Sequence, residues 1–520
     1  MPGVDLILSG ANVVTLDPAK PRAQAVAISN GKIVDVGADQ QILSYATDET
    51  KIIDLNGLTV VPGLIDCHVH MLDFGQSLRQ LDLRYVGSVK EMQSKLNDYA
   101  RRQRHGWILG RGWDQDRFDE KRYPNRWDLD AALNDRPVFL TRVCGHIGVV
   151  NSKALELAGV NREMSLSNRQ IDRDRETGEL TGILREESLE LVHRVIPKLS
   201  PEEIEESCLP ACQRAVEAGL TSVNWIVSST EELRAIQKLD QKGQLPIRVY
   251  IGFPVELLNH LAGLGLLTGF GSNKVKIGFI KVLADGSLGG HTAALNQPYS
   301  DQPDTRGIML YTQRKLNKIV HDAHRAGLQI AVHAIGDRAL GAAIKAFRRV
   351  FEKSPRNDSR HRIEHCSVLN PTLIKDLSSM GIIASVQPHF IVSDFWVAKR
   401  VGKERARWVY PFQSLTHERI TVAAGSDCPV EPIDPLLGIW AAVTRTDSYD
   451  ENVTAEEALR MYTLNAAYAS FEENRKGSIE AGKLADFTVL SEDPCTISPE
   501  KIKDIAVEMV IIDGRIVYKR

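Results

Sequence analysis

Six residues able to hold a divalent metal ion stand at the downstream ends of short apolar runs: His68 and His70 in GLIDCHVH, Lys281 in IGFIKVLA, His333 in QIAVHA, His365 in RIEHC and Asp427 in TVAAGSD. His68 and His70 are two apart, so in an extended strand both imidazoles leave the same face and can grip one ion. Among 14 histidines such a pair also arises by chance. Its surroundings argue otherwise: in VVPGLIDCHVH, Pro62 and Gly63 mark the start of the strand, and Asp66 puts a carboxylate inside an apolar run.

An apolar strand carries the Lys281 amine into a low dielectric, which favours the neutral amine. A neutral amine can add carbon dioxide and become a carbamate, an anionic oxygen ligand able to bridge two divalent ions. The alternative is a structural lysine paired with Asp285 or another acid. His333 and His365 bring the strand-end imidazoles to four, although each alone also fits a hydrogen-bonded core or rim histidine. Asp427 is an acid that could touch a metal and hold a proton, or simply an Asp in a turn.

Residues so far apart in the chain meet only if a closed ring of strands gathers them. Short apolar runs alternate with helical patterns through the middle of the chain, the grammar of βα units and a parallel sheet. Thr312 to Ala326 puts Leu316, Ile319, Val320 and Ala323 on one helical face, Gly327 can close the helix, and LQIAVHA follows as a buried strand. Ser200-Pro201-Glu202-Glu203 and Thr454-Ala455-Glu456-Glu457 fit helix-starting capping boxes. The expected strands are GLIDCHVH, TSVNWIV, IRVYIGF, IGFIKVLA, QIAVHA, RIEHC, IIASVQ and TVAAGSD, eight in all. Eight such strands point to an α/β fold of the (β/α)8 TIM-like barrel type, whose strand ends converge on one mouth.

Both ends of the chain have a different texture. QAVAIS, Asn30-Gly31 and KIVDVGA read as a hairpin, Asn56-Gly57 marks a further turn, and EMVII, Asp513-Gly514 and RIVYKR repeat the strand, turn, strand pattern. Neither end is long enough to bury a core alone, so residues 1–60 and 476–520 are expected to form one small composite β-sandwich. Residues 61–475 would then be the barrel. Between its first two strands lies a segment of roughly 130 residues, far beyond a usual connection. Residues 75–205, with their own helical and turn signals and Trp107, Trp113 and Trp127, are expected to fold as an inserted lid subdomain over the mouth.

Composition narrows the partners. With 520 residues, 64 Lys plus Arg against 67 Asp plus Glu and a net charge of -3, nothing in the electrostatics calls for nucleic acid or an anionic membrane, and a small molecule is expected. No stretch reads as a signal peptide or membrane span. Seven cysteines make neither a disulfide framework nor a zinc-finger spacing, which favours the cytoplasm; Cys208 and Cys212 read as small core residues. The sandwich and the insertion both offer surfaces for a homodimer.

At this point the chain resembles the amidohydrolase superfamily, in particular its YtcJ-like or amidohydrolase 3 branch, which includes N-substituted formamide deformylase. The resemblance rests on VVPGLIDCHVH, IKVLADGSLGGHTAAL, VHAIGDRA, RIEH, GSDCPVEPIDPL and the closing GKLADFTVL with DGRIVY, and it spans nearly the whole length. It implies that His68, His70 and Asp427 hold one metal and His333 and His365 another, with N6-carboxylated Lys281 between them. Zinc is the family's usual metal, and imidazole and oxygen ligands are compatible with it as with Mn, Fe or Ni. It also implies a metal-activated hydroxide, with Asp427 carrying the water's proton to the leaving amine.

The expected activity is hydrolysis of a nonpeptide carbon–nitrogen amide bond in a small molecule, N-substituted formamides among the candidates. The alternatives are a hydrolytic deaminase of an amino-heterocycle and a noncatalytic regulatory protein that keeps the fold. Four residues are candidates for substrate contact: Asp285 and His291 after the fourth run, and His146 and Trp113 in the insertion. Each also has a structural reading, as a turn residue, a packed histidine or an aromatic core residue. Where relatives of the deformylase type often carry arginine, this chain has His291.

Overall fold

The computed structural model describes residues 3–103, 105–161, 171–445 and 450–520; Met1 and Pro2 of the N-terminal stretch and 162–170 of the inserted segment lie outside them. Eight parallel strands form one sheet in chain order: Leu64–Val69, Leu220–Ile226, Arg248–Pro254, Val275–Leu283, Gln329–Ala334, Arg362–His365, Ile383–Val386 and Val422–Ala424, here called barrel strands 1 to 8. All eight apolar runs named above are these strands. The unit singled out in the sequence is built as its pattern dictates: Thr312 caps the helix Gln313–Arg325, the four apolar residues face inward, and barrel strand 5 follows. Both capping boxes form, at Ser200 and Thr454.

The ring closes just beyond strand 8. The Asp427 amide donates to the His68 carbonyl at 2.7 Å, and the His70 amide to the Cys428 carbonyl at 2.9 Å. Asp66, the carboxylate inside an apolar strand, locks this seam by accepting from the His68 amide at 2.9 Å, the Ser426 amide at 3.1 Å and the Ser426 hydroxyl at 2.6 Å. A Cβ at Gly425 would stand 2.5 Å from Asp66 Oδ1 and 2.6 Å from the His68 amide nitrogen. Only glycine allows so close an approach.

The chain's two ends pack as a β-sandwich. One sheet holds Leu6–Ser9, Ala25–Ser29, Lys32–Gly37 and Lys51–Asp54; the other joins Asn12–Val14, Arg22–Ala23 and Thr59–Pro62 to Phe487–Leu490, Val507–Ile512 and Arg515–Lys519. Leu8, Val26, Val60, Phe487 and Ile511 fill the space between them. Asn30-Gly31 and Asp513-Gly514 have positive φ at both positions, 50° and 71°, then 52° and 70°, as tight hairpins of this twist require. Thr59–Pro62 continues through Gly63 into barrel strand 1, so the sandwich feeds directly into the strand that carries His68.

The inserted segment contains more than helices and turns. A six-stranded mixed sheet runs through it, in the order Ile171–Arg173, Leu180–Arg185, Ile147–Val150, Val138–Arg142, Ile108–Trp113, Leu81–Asp82. Glycines at 110, 112, 148 and 182 interrupt the alternation that would have announced these strands. Among the described residues no helix is long and apolar enough to cross a membrane.

Candidate metal centre

Strand 1 delivers His68 and His70 on the same side, as its period of two requires. Each Nε2 lies 3.3 Å from Asp427 Oδ1. Ligands at about 2.0–2.1 Å from a tetrahedral zinc ion stand roughly 3.3 Å from one another, so each of these two His–Asp pairs has the separation of two ligands on one ion, although His70 is not part of the compact group of ligand atoms. His68, His365 and Asp427 offer ligand atoms within 4.8 Å of one another.

The imidazoles are aimed by what holds their other nitrogen. His68 Nδ1 donates to the buried carboxylate of Glu364, which Ser385 Oγ also supports at 2.9 Å. Arg362 pairs with Glu364 and reaches Asn224 Oδ1 at 2.7 Å. Burial would raise the Glu364 pKa, but Arg362 and His68 outweigh it and keep the carboxyl ionised, well below the usual range. His365 Nδ1 donates to Gln387 Oε1 at 2.6 Å. In both rings the proton is therefore on Nδ1 and Nε2 is left as an unprotonated acceptor, the arrangement that orients metal-binding histidines.

Strand 6 brings in both Glu364 and His365, although alternation should send neighbours to opposite faces. A left-handed backbone at His365 (φ 75°) and Cys366 (φ 46°) breaks the alternation at that point. Asp427 also sits at positive φ, 57°, in the turn fixed by Asp66 and Ser426. Strained backbone of this kind gathers where side-chain direction matters.

His333 differs from the other rings. Its Nε2 faces the Gly286 carbonyl at 3.1 Å, leaving Nδ1 as the free ligand atom, and its ring centroid is 4.4 Å from that of His365. Lys281 Nζ lies 2.8 Å from His68 Nε2. Since Glu364 takes the Nδ1 proton of His68, the amine must be the donor, and it contacts the same lone pair that a metal would use. The alternative pairing of Lys281 with Asp285 is not formed. Burial pushes Lys281 down to about 8, His68 to about 4 and His365 to about 3, and holds His333 well below its ordinary value. Burial raises Asp427, but His68, His70 and His365 outweigh it and keep that carboxyl well below the usual range. Neutral imidazoles around one carboxylate suit a divalent cation.

The model of the amidohydrolase family matches residues 51–518. The chain belongs to the amidohydrolase family. It is 33% identical to the putative amidohydrolase YtcJ of Bacillus subtilis over 99% of both chains. It is 34% identical to the protein LONG AFTER FAR-RED 3 of Arabidopsis thaliana, over 94% of this chain and 87% of that one. With the N-substituted formamide deformylase of Arthrobacter pascens it shares 26% identity over 99% of this chain and 98% of that one. Among solved structures, an uncharacterized metal-dependent hydrolase from Pyrococcus furiosus superposes with a TM-score of 0.77 at 34% identity, covering 94% of this chain and all of that one. The protein is thus a metal-dependent hydrolase of the amidohydrolase superfamily.

A cavity of about 210 Å³ in this amidohydrolase is lined by His333, His365 and Asp427 and is walled jointly by the insertion and the barrel mouth. His146 reaches it from the insertion, its ring centroid 5.9 Å from that of His333. Its Nδ1 donates to Glu186 at 2.9 Å. Burial works against a charge there, but Glu186 prevails and raises His146 to about 9, so the ring is an imidazolium at neutral pH.

The other three candidate substrate contacts lie elsewhere. Trp113 is fully buried in the core of the insertion, and its Nε1 donates to the Leu140 carbonyl at 2.8 Å; its neighbours Gly112 and Asp114 line the cavity instead. Asp285 is an organiser of backbone, accepting from the amides of Ala294 at 2.8 Å, Ile335 at 3.0 Å and Gly336 at 2.8 Å. His291 is turned to Asp301 at 3.1 Å. In each case a partner distant from the cavity motif claimed the side chain, and the one-dimensional pattern carries no sign of that partner.

Several residues of the site escaped the sequence reading. Glu364 and Gln387, which orient His68 and His365, sit inside the runs RIEHC and IIASVQ, where nothing local assigns either side chain a role. The loop after strand 7 supplies His389, Phe390, Val392, Asp394 and Trp396 to the cavity wall. His389 Nδ1 is held by Glu431, which also accepts from the Ser393 hydroxyl. His389 stands three residues beyond strand 7, as Asp427 does beyond strand 8, but no motif around it marks it as part of the site.

Proposed function

We propose that this amidohydrolase cleaves the carbon–nitrogen bond of a small nonpeptide amide, with N-substituted formamides among its candidate substrates. The observation that supports this reading most directly is the gathering of His68, His70 and His365 around Asp427, with the His68 and His365 rings held through Nδ1 so that Nε2 is left as the ligand atom. In this reading His68, His70 and Asp427 hold one ion, His333 and His365 a second, and N6-carboxylated Lys281 stands between them; zinc suits the donor set. Divalent ions bound there would supply the Lewis acidity that activates water and polarises the scissile carbonyl.

The chain's own groups handle protons and charge. Asp427, ionised at neutral pH, accepts a proton from the attacking water and delivers it to the leaving nitrogen as the C–N bond breaks, so that water's oxygen ends in the acid and its protons are shared with the amine. The His146 imidazolium steadies negative charge growing on the carbonyl oxygen. The Arthrobacter relative, named for N-substituted formamides, lends weight to the amide class. All seven cysteines are unpaired, which supports a reducing compartment such as the cytoplasm.

One observation favours a second reading, a one-ion hydrolytic deaminase: His68, His365 and Asp427 form a compact group of their own, and unmodified Lys281 serves only as a donor to His68. A screen of zinc-loaded protein against small amides, formamides, lactams and amino-heterocycles separates the two. Released amine and carboxylate with close to two ions per chain support the amide hydrolase; ammonia from an amino-heterocycle with a single ion supports the deaminase. Asp427→Asn should stop turnover by about 10²–10⁴-fold while most of the metal stays bound, and an active variant would remove Asp427 from the proton path.

A further inference from the structure

The run Asp114-Gln115-Asp116-Arg117 follows the insertion strand Ile108–Trp113, and its first three side chains are spent on fixing its position. Asp114 and Gln115 accept from buried Arg142 at 2.7 and 2.8 Å. Asp116 pairs at 2.8 Å with Arg400 of the helix Val397–Val401, in the loop after strand 7. The Arg117 amide donates to the Asp114 carbonyl at 3.0 Å and completes the turn. Arg117 is thus an exposed residue of the cavity lining, carried on an anchored segment.

Its guanidinium lies 5.5 Å from the ring centroids of both Tyr85, in the insertion, and Phe395, in the loop after strand 7. Ring faces attract a cation without neutralising it. The other charges of the lining are accounted for. Arg84 and Arg142 are matched by Asp82 and Asp114 at 2.7 Å each, and His146 and His389 by Glu186 and Glu431. His333 and His365 are neutral. Asp427 is committed to the metal centre, and Asp394 accepts from the Tyr410 hydroxyl at 2.5 Å while burial pushes its carboxyl up to about 7. Among the described residues, Arg117 is the arginine of this lining that pairs with no carboxylate.

We infer that Arg117 is a specificity-determining residue whose guanidinium receives a carboxylate on the part of the substrate away from the scissile amide. The inference rests on the amide hydrolase reading for the scissile bond. One guanidinium balances one negative charge and can offer it two parallel N–H donors. A dianionic phosphate would leave its second charge facing Asp394 and Glu431, which line the same cavity.

The test uses full-length, zinc-loaded protein carrying Asp427→Asn, so that binding is measured apart from turnover. The probes, N-acetyl-γ-aminobutyrate and N-methylglutaramate, carry the carboxylate on opposite sides of the amide. Each is compared with its own primary carboxamide, which keeps the shape and removes the charge. Calorimetry should find at least one carboxylate bound about tenfold more tightly than its carboxamide, with Arg117→Gln bringing that ratio near one and Arg117→Lys keeping part of it. Equal affinities in both pairs overturn the inference. So does a ratio that survives Arg117→Gln, which would place the carboxylate on Arg84, Arg142, His146 or the metal ions. The Arg117 side chain is exposed and makes no hydrogen bond among the described residues, so its replacement should leave the fold in place. The matching phosphonate should bind no more tightly than the carboxylate, and tighter binding would overturn the carboxylate assignment. If wild-type protein hydrolyses none of the probes while the tenfold ratio holds, the amide hydrolase reading fails and the anion subsite stands; turnover of acid and carboxamide alike with equal affinities has the reverse meaning.

Discussion

The carboxylate of Glu364 accepts the Nδ1 proton of His68 across the barrel interior, and the same carboxylate is the charge partner of buried Arg362. One side chain thus sets the ligand tautomer and neutralises a guanidinium that is 0% exposed. Glu364→Ala should lower zinc affinity by about 10- to 100-fold and cost about 3–5 kcal/mol of stability by leaving Arg362 unpaired. Chelator competition and urea unfolding measure the two effects separately. Glu364→Gln keeps an acceptor and should lose less affinity than Ala; an affinity unchanged in both would show that Glu364 does not orient His68.

Lys281 contacts the lone pair of His68 that a metal needs, and carboxylation would replace that donor with an oxygen ligand. Lys281→Ala should reduce bound metal from two ions per chain toward one and bring turnover to background, with partial return of activity in short carboxylates. Protein prepared with ¹³C-bicarbonate should show a carbamate carbon resonance that the variant lacks. Full activity in Lys281→Ala would rule out the bridging role.

His146 gives the cavity a pH dependence of definite sign. Its pKa is raised from 6.5 to about 9, so the imidazolium and the stability it contributes are fully present below pH 6.5 and are lost as pH rises through about 9. The kcat/KM profile should fall on its alkaline side near that value. His146→Gln should remove this limb and lower kcat/KM at pH 7 by about 10²–10³; an unaltered alkaline limb would assign it to another group.

A second histidine pair, remote from the cavity, has the opposite sign. The Ile330 amide donates to His361 Nδ1 at 3.2 Å, so His361 Nε2 carries the proton and donates to His324 Nδ1 at 2.8 Å, while His324 Nε2 donates to the Ser354 carbonyl at 2.7 Å. Both rings are thereby fixed as neutral. Burial lowers both pKa values, that of His361 well below 6.5. The stability they contribute is present above pH 6.5 and lost as pH falls below it, more for His361 than for His324. Urea midpoints between pH 7 and 5 should drop accordingly, and His361→Asn should flatten the drop.

The parts of the fold that follow chain periodicity were legible in advance. Barrel strands 1 to 8, the helix capped by Thr312 and the turns at Asn30 and Asp513 each have a local cause that leaves a local trace. Metal-capable residues at strand ends were legible for the same reason, since a barrel turns position along a strand into position in space. What stayed hidden depends on contacts between distant segments. Trp113 could not be told from a cavity residue because core and wall differ only in what packs against them.

Asp66 and Ser426 are 360 positions apart, and their hydrogen bonds close the seam between the first and last barrel strands where His68, His70 and Asp427 meet. Strand 1 is also reached from Thr59–Pro62, which lies in the sandwich between Asn12–Val14 and the much later Phe487–Leu490. During synthesis the first two imidazoles therefore emerge long before the aspartate, and the sandwich strand leading to them waits still longer for its second neighbour. A nascent or truncated chain can expose a His-x-His pair without assembling the metal centre. The seam that brings His68, His70 and Asp427 together can therefore close only after the C-terminal portion of the barrel has been made.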